Sequence, residues 1–418
     1  MSPETLQIGA TILFAIAVIH TFSVKFFEKL AERPSPHVGI WHLLAEVEVV
    51  FGFWAMILIV YLALFGGVAS SLDYLESRNF TEPMFIFVIM VVAASKPIFN
   101  LAQAMVENVA RILPLPSSVS TYLVIMALVP LLGSFITEPA AMTLAALLLR
   151  DQFYSAGLSN RLQYATIGVL FVNVSIGGAL TPFAAPPILM VAGTWGWDLP
   201  FMLLHFGWRS TLAVFINAIG VTLLFRAELA RITLDDDSGA AKVPFALTIV
   251  HLLFLLGIVI FAHHAVVFMA LFLFFLGITA AYPRHQDPLI LREGLLVGFF
   301  LGGLVVLGGQ QQWWLQPLLE GMSPTVAYYG ATALTAITDN AALTYLGSLV
   351  EGLSPEFKYS LVAGAITGGG LTVIANAPNP AGYSILKKSF EGESISPLGI
   401  LVSAAIPTII TILVFRVI

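Results

Sequence analysis

The chain has 418 residues, of which 58% are hydrophobic and only 10% charged, with a mean hydropathy of +0.94, whereas soluble domains are roughly one quarter charged; it therefore belongs in a bilayer. The absence of cysteine excludes disulfides and thiolate metal sites. The net charge of −6 includes the run Asp235 to Asp237, read as a solvated loop, so acidity points to no partner and nucleic acid is not expected.

Apolar segments predict an all-α polytopic membrane protein with about ten transmembrane helices, at 6–24, 40–66, 84–111, 161–193, 205–226, 243–262, 265–282, 293–311, 359–385 and 397–416. The first is preceded by Glu4 rather than a basic region and lacks a small-x-small cleavage site, so it reads as a retained span rather than a secretory signal. Residues 1–83 form N-terminal scaffold helices, 84–226 a first repeat, 227–292 a linker with scaffold helices and 293–418 a second repeat.

Two further apolar stretches, 117–149 and 324–350, are read as re-entrant hairpins. The first is interrupted by Pro130, Gly133 and Pro139; it is long for one straight span and short for two of about 20 residues. The second has a length that one tilted helix would also satisfy, so charge arbitrates. With the N-terminus outside, one face receives Lys25, Lys29, Arg33, Arg111, Arg150, Arg161, Arg226, Arg231, Lys242, Arg284, Arg292, Lys387 and Lys388, and the other Arg78, Lys358 and Arg416, with Arg209 near it. Cytoplasmic loops carry the excess of Lys and Arg. Turning either hairpin into a full span would reduce this bias.

Internal self-similarity is more informative still. Ile136 to Thr143 reads I-T-E-P-A-A-M-T and Ile337 to Thr344 reads I-T-D-N-A-A-L-T; Gly177 to Pro187 reads G-G-A-L-T-P-F-A-A-P-P and Gly368 to Pro378 reads G-G-G-L-T-V-I-A-N-A-P. The two motif pairs occur in the same order, and the charge topology makes the halves two inverted-topology repeats, each with a hairpin (117–149, 324–350) and a broken helix (161–193, 359–385). Matching Gly/Pro interruptions in inverted halves point to a transporter site near the midplane. Gly177, Gly178 and Gly368 to Gly370 permit unwound backbone, and Pro182, Pro186, Pro187, Pro378 and Pro380 keep helix from closing over it.

Into that region the motifs bring Thr137, Glu138, Thr181, Thr338, Asp339, Asn340, Thr372 and Asn376. All offer oxygen, the ligand that hard cations such as sodium take, and Glu138, Asp339, Asn340 and Asn376 are the expected sodium ligands. A carboxylate at membrane depth is costly and marks a functional site by default. The bland alternative is that Glu138 and Asp339 cap helices at the hairpin tips. Against it, both acids hold the same position in the aligned strings.

Lys96 lies mid-span in A-A-S-K-P and is expected to compensate a carboxylate of the empty site or to pair with Glu107 or a hairpin acid. Glu46 and Glu48 suit a scaffold or homodimer role better than transport. His20, His205, His251, His263 and His264 lack metal-ligand spacing and read as loop or interfacial residues. No phosphate-binding loop, nucleophile elbow or zinc pattern occurs, so neither ATP-driven transport nor an enzyme is expected; no cofactor is implied, sodium being substrate.

At these motifs the sequence resembles the ion transporter superfamily, specifically sodium/proton antiporters of the NhaD type, over roughly residues 84–226 and 293–418. The related divalent anion/sodium symporters also pair two hairpins with two broken helices. The resemblance implies that hairpins and broken helices move together against a static scaffold. Those symporters carry a serine-asparagine-threonine signature at the tips, where this chain has Thr137-Glu138-Pro139 and Thr338-Asp339-Asn340. Like charges about 4 Å apart cost roughly 4 kcal/mol at an effective dielectric of about 20, so carboxylates there disfavour a dicarboxylate substrate. The reading is exchange of sodium or lithium for protons in a bacterial-type cytoplasmic membrane. Its alternative is sodium-coupled symport of a small carboxylate or oxyanion, with Lys96 as the feature in favour.

Overall fold

The computed structural model describes residues 3–32, 38–234 and 243–418; Arg33, Lys242 and the run Asp235 to Asp237 lie outside them. The described residues form helices and no strand. In chain order the principal helices are α1 (Pro3–Ala31), α2 (Val47–Gly66), α3 (Thr81–Ala93), α4 (Lys96–Ile112), α5 (Ser117–Ile136), α6 (Glu138–Gln152), α7 (Asn160–Gly177), α8 (Pro186–Trp195) and α9 (Trp208–Leu224). They continue as α10 (Phe245–Ile260), α11 (Ala265–Ala281), α12 (Leu291–Gly308), α13 (Pro324–Thr335), α14 (Asn340–Ser348), α15 (Pro355–Gly368), α16 (Asn379–Leu386) and α17 (Pro397–Arg416).

Among the described residues, seven segments are long and apolar enough to cross a membrane: Glu4–Val24, Val47–Gly66, Ser117–Ile136, Asn160–Leu180, Leu199–Leu224, Leu291–Gly308 and Pro397–Arg416. The predicted span 84–111 is instead two helices, α3 and α4, bent by 65° at Ala94-Ser95; counted as one, the pair makes an eighth. Pro97 near the start of α4 explains the break, since a proline fits a helix's first turn but not its interior. The helices α10 and α11 are apolar but shorter, and 359–385 is divided between α15 and α16.

The chain divides into two compact units. The smaller, Met1–Phe87 with Ile290–Met322 and Tyr345–Leu353, is built on α1, α2 and α12. There α2 and α12 run parallel, because a side chain on Gly303 would fall on the backbone of Phe51 and Gly52, while Glu46 and Arg292 form an ion pair at the two helix starts. His20 is buried in α1 rather than interfacial: Trp54 Nε1 donates to its Nδ1 at 3.0 Å and its Nε2 lies 3.0 Å from the Leu44 carbonyl.

The larger unit comprises Val88–Leu289, Ser323–Thr344 and Ser354–Ile418. Its centre is α5 and α7, whose membrane-length windows are 78% and 83% buried, against 39% for α17, which shows one face outward. Pro130 interrupts α5 and leaves the Met126 carbonyl without its helical donor. Asn173 of α7 supplies one through Nδ2 at 2.9 Å, and Asn217 of α9 donates in turn to Asn173 Oδ1 at 3.0 Å. Uncapped, such a carbonyl would cost about 1–3 kcal/mol.

Helix directions follow from contacts. Helix α6 folds back along α5, so that Tyr122 near the start of α5 meets Phe153 just beyond α6 with ring centroids 5.3 Å apart. Tyr164 and Gly168 of α7 touch Gly399 and Ser403 of α17, so these two helices are parallel. Tyr359 Oη near the start of α15 donates to the Phe415 carbonyl at the end of α17. At the centre Ser175 meets Ile366 and Gly369, and Val172 meets Gly370, so α7 and α15 approach end to end in opposite directions.

Candidate functional site

Both hairpin tips and both helix breaks converge in the larger unit. In the first half only Thr137 separates α5 from α6, with φ 73° and ψ 150°. That backbone region is nearly reserved for glycine and costs on the order of 1–3 kcal/mol for a β-branched residue, a strain that persists only where surrounding structure imposes it. Its effect is to start α6 abruptly at Glu138, with Pro139 at the second position. The Glu138 side chain has no exposure. Asn376 Nδ2 donates to its Oε2 at 2.9 Å, while its Oε1 has no hydrogen-bond partner.

The first break follows Gly177. Ser134 Oγ donates to the Gly177 carbonyl at 2.7 Å and accepts from Leu180 N at 2.9 Å, and Thr181 Oγ1 donates to the Ser134 carbonyl at 2.6 Å. Backbone polar groups freed by the break are thus met by protein, as a membrane interior requires. Gly178 has no side chain because Glu138 fills the space: a Cβ there would lie 2.5 Å from Glu138 Oε1 and 2.7 Å from its Cγ.

The second break, after Gly368, is held mainly by Asn379. Its Nδ2 donates to the carbonyls of Gly369 at 2.7 Å and Thr372 at 2.8 Å, and its Oδ1 is buried without a partner. Thr372 Oγ1 donates to the Ala336 carbonyl at 2.9 Å, matching Thr181 in the first half. Asn340 N donates to the Ala375 carbonyl at 3.1 Å, whereas both polar atoms of the Asn340 side chain are buried and unpaired.

The structure thus brings together Glu138, Asn340 and Asn376, with Thr137 buried beside them, its hydroxyl also without a partner. Thr181 and Thr372 brace backbone instead of offering free hydroxyls. Thr338 returns its hydroxyl to the Leu334 carbonyl at 3.0 Å on its own helix. Asp339 is partly buried, and its Oδ1 accepts from Ala341 N at 2.8 Å and Ala342 N at 3.1 Å, an N-cap on α14. Lys96 departs from its expected partners: it pairs with Asp287, in the segment after α11, at 2.8 Å, while Glu107 accepts from Gln103.

Sequence reasoning missed Asn379, Ser175 and Asn173, each a lone polar residue in an apolar stretch. Asn379 had a signal, standing between Pro378 and Pro380 just beyond the second glycine motif. His251, read as a loop or interfacial residue, is buried in α10, with Nδ1 2.8 Å from the Leu247 carbonyl and Nε2 2.7 Å from Gln286 Nε2.

Chemically, the cluster is a buried acid with one bare oxygen, among amide oxygens of Asn340, Asn376 and Asn379 that also lack partners. Buried polar atoms are nearly always hydrogen-bonded, so several unpaired oxygens in one place mark a site built for something else. Oxygen donors with a single acid suit a hard monovalent cation or a proton. Membrane-length apolar helices around such a site define a multi-pass membrane protein of the ion-transporting class. A model of the family described as "Putative Na+/H+ antiporter" matches residues 5–418, and the chain belongs to that family. No curated protein matches it.

Proposed function

We propose that the protein exchanges sodium, or lithium, for protons at Glu138, with Asn340 and Asn376 supplying neutral oxygens around the ion. The family supports sodium/proton exchange as the overall activity. The observation that carries the residue-level reading is the fully buried Glu138 carboxylate, bonded by Asn376 through one oxygen and bare at the other.

A sodium ion or a proton neutralises that acid equally well, and the two compete for it. The empty, ionised site is costly to carry through a low-dielectric barrier, so the neutral loaded forms are those that change sides. Thr137 holds the acid at the very start of α6, whose N–H groups and dipole favour negative charge there. Thr181, Thr372 and Asn379 keep the broken backbone open around it. The two halves act as inverted repeats with re-entrant hairpins of the ion-transporter superfamily architecture, in a cytoplasmic membrane with the basic loops inside.

The test is flux in proteoliposomes that contain the purified protein and no organic substrate. An imposed sodium gradient drives proton movement in the parent and in Ser159→Thr, which keeps the hydroxyl that accepts from Leu162 N at the start of α7, and none in Glu138→Gln. Strict dependence on an added carboxylate or oxyanion would replace exchange by symport. Undiminished flux in Glu138→Gln would remove the acid from the mechanism.

A further inference from the structure

The aligned strings pair Glu138 with Asp339, yet the two helices begin differently. Helix α6 starts at Glu138 and α14 at Asn340. The glycines of the second motif give an independent register, because Gly178 and Gly369 are themselves equivalent. A Cβ on Gly178 would strike the Glu138 carboxylate, and one on Gly369 would strike Ser175 Oγ and, next to it, meet Asn340 Nδ2 at 2.9 Å. Asn340, fully buried, therefore occupies the place in the second half that Glu138 holds in the first. Asp339 corresponds to Thr137, the residue before the helix, and its Oδ1 is committed to Ala341 N and Ala342 N.

The remaining elements around Glu138 add no charge near it. Helices α5, α8, α13 and α16 and both breaks contain no Asp, Glu, Lys or Arg. Arg161 on α7 and Arg150 and Asp151 on α6 lie at the far ends of those helices, as do Glu356 and Lys358 on α15. Of the charged residues of α4, Lys96 is paired with Asp287 and Glu107 bonded by Gln103, and Arg111 lies in its last turn.

Resting on Glu138 as the exchanger, we infer that the site carries one negative charge, the equivalent place in the second half holding the neutral amide of Asn340, and that exchange is electroneutral, one proton for each sodium. On one side the carboxyl O–H bond breaks, the proton leaves to water and the ionised oxygen takes sodium; on the other side the sequence reverses. Both forms that cross are neutral, so no net charge moves. A site with two acids, each giving up its proton to admit one sodium, would move charge in every cycle.

The experiment is sodium uptake into proteoliposomes with internal and external pH equal and a potassium–valinomycin potential of about 100 mV, inside negative or absent. The electroneutral site gives sodium flux equal within about twofold at the two potentials and, in liposomes without valinomycin, no signal from a potential-sensitive dye during sodium uptake. An exchanger that moves one net charge would respond to that potential with a sodium gradient of about 50-fold, and this result would overturn the proposal while leaving exchange itself intact. A second variant separates the roles of the two acids. Asp339→Asn, which still caps α14, keeps exchange and its indifference to potential. Loss of exchange in Asp339→Asn that remains folded by thermal unfolding in detergent would restore the two-acid site and sink the single-charge assignment. Absence of any sodium-driven proton flux in the parent would instead contradict the proposed function.

Discussion

Substituting Gly178 by alanine tests the geometry around Glu138 with one methyl group. The added Cβ would lie 2.5 Å from Oε1, 2.7 Å from Cγ and 3.0 Å from Cδ of that side chain. An ordinary contact is about 3.5 Å, so the carboxylate must retreat by about 1 Å. The site offers little room for this, since Glu138, Ala179 and Ala141 are all without appreciable exposure. Overpacking of this kind costs about 1–3 kcal/mol, which a helical membrane protein can bear and remain folded. Transport is less forgiving, because a displacement of about 1 Å at reacting groups can lower a rate about 100-fold. Stopped-flow measurement of sodium-driven proton flux, with folded protein quantified by size exclusion, reads both effects. Gly220→Ala on α9 is the control: a Cβ there meets nothing within 4 Å, and replacing a helical glycine is favourable by about 1 kcal/mol. Transport by Gly178→Ala within about threefold of the parent would mean that the Glu138 carboxylate is not held in a fixed position by its neighbours.

Gly177→Ala and Gly368→Ala should act on folding rather than on the ion, because their added Cβ atoms would meet the backbone carbonyls of Pro130 and Thr332, which cannot swing away; thermal unfolding in detergent should fall by an amount set by about 1–3 kcal/mol or more. Asn173→Leu removes the donor that caps the Met126 carbonyl in α5 and should cost about 1–3 kcal/mol in the same assay. An unchanged midpoint would mean that the proline break is satisfied in another way. Lys96→Met, which breaks a partly exposed pair worth about 0–1 kcal/mol, should leave exchange intact, and its abolition would place Lys96 in the ion path. The apparent sodium affinity should strengthen as pH rises through the range where the site loses its proton and then level off, as sodium uptake measured over a pH series would show.

The motifs were legible because membrane interiors tolerate acids and broken helices only for a reason, so I-T-E-P and G-G-A-L-T stand out against an apolar background. The register between the two halves was not. One residue lies between α5 and α6, whereas four lie between α13 and α14, and an alignment of strings cannot see that the tips differ in length. That difference moves Asn340, and not Asp339, to the place of Glu138. The bend at Ala94-Ser95 had its signal in Ser95 and Pro97, which hydropathy averaging concealed within the span 84–111. The partner of Lys96 was hidden for another reason: Asp287 lies far away in the chain and only the fold brings it near. Buried asparagines such as Asn173 and Asn379 resemble isolated polar residues until the carbonyls they cap are known.

Sodium and a proton compete for the Glu138 carboxylate in the proposed cycle. Calorimetric titration with sodium in buffers of different ionisation heat counts the protons released as the ion binds. Competition at one acid predicts release of about one proton per sodium at pH values where the site is protonated, falling towards none as pH rises, and loss of that release in Glu138→Gln. Sodium binding with no proton release at any pH, or with the same release in Glu138→Gln, would mean that the two ions do not share this carboxylate.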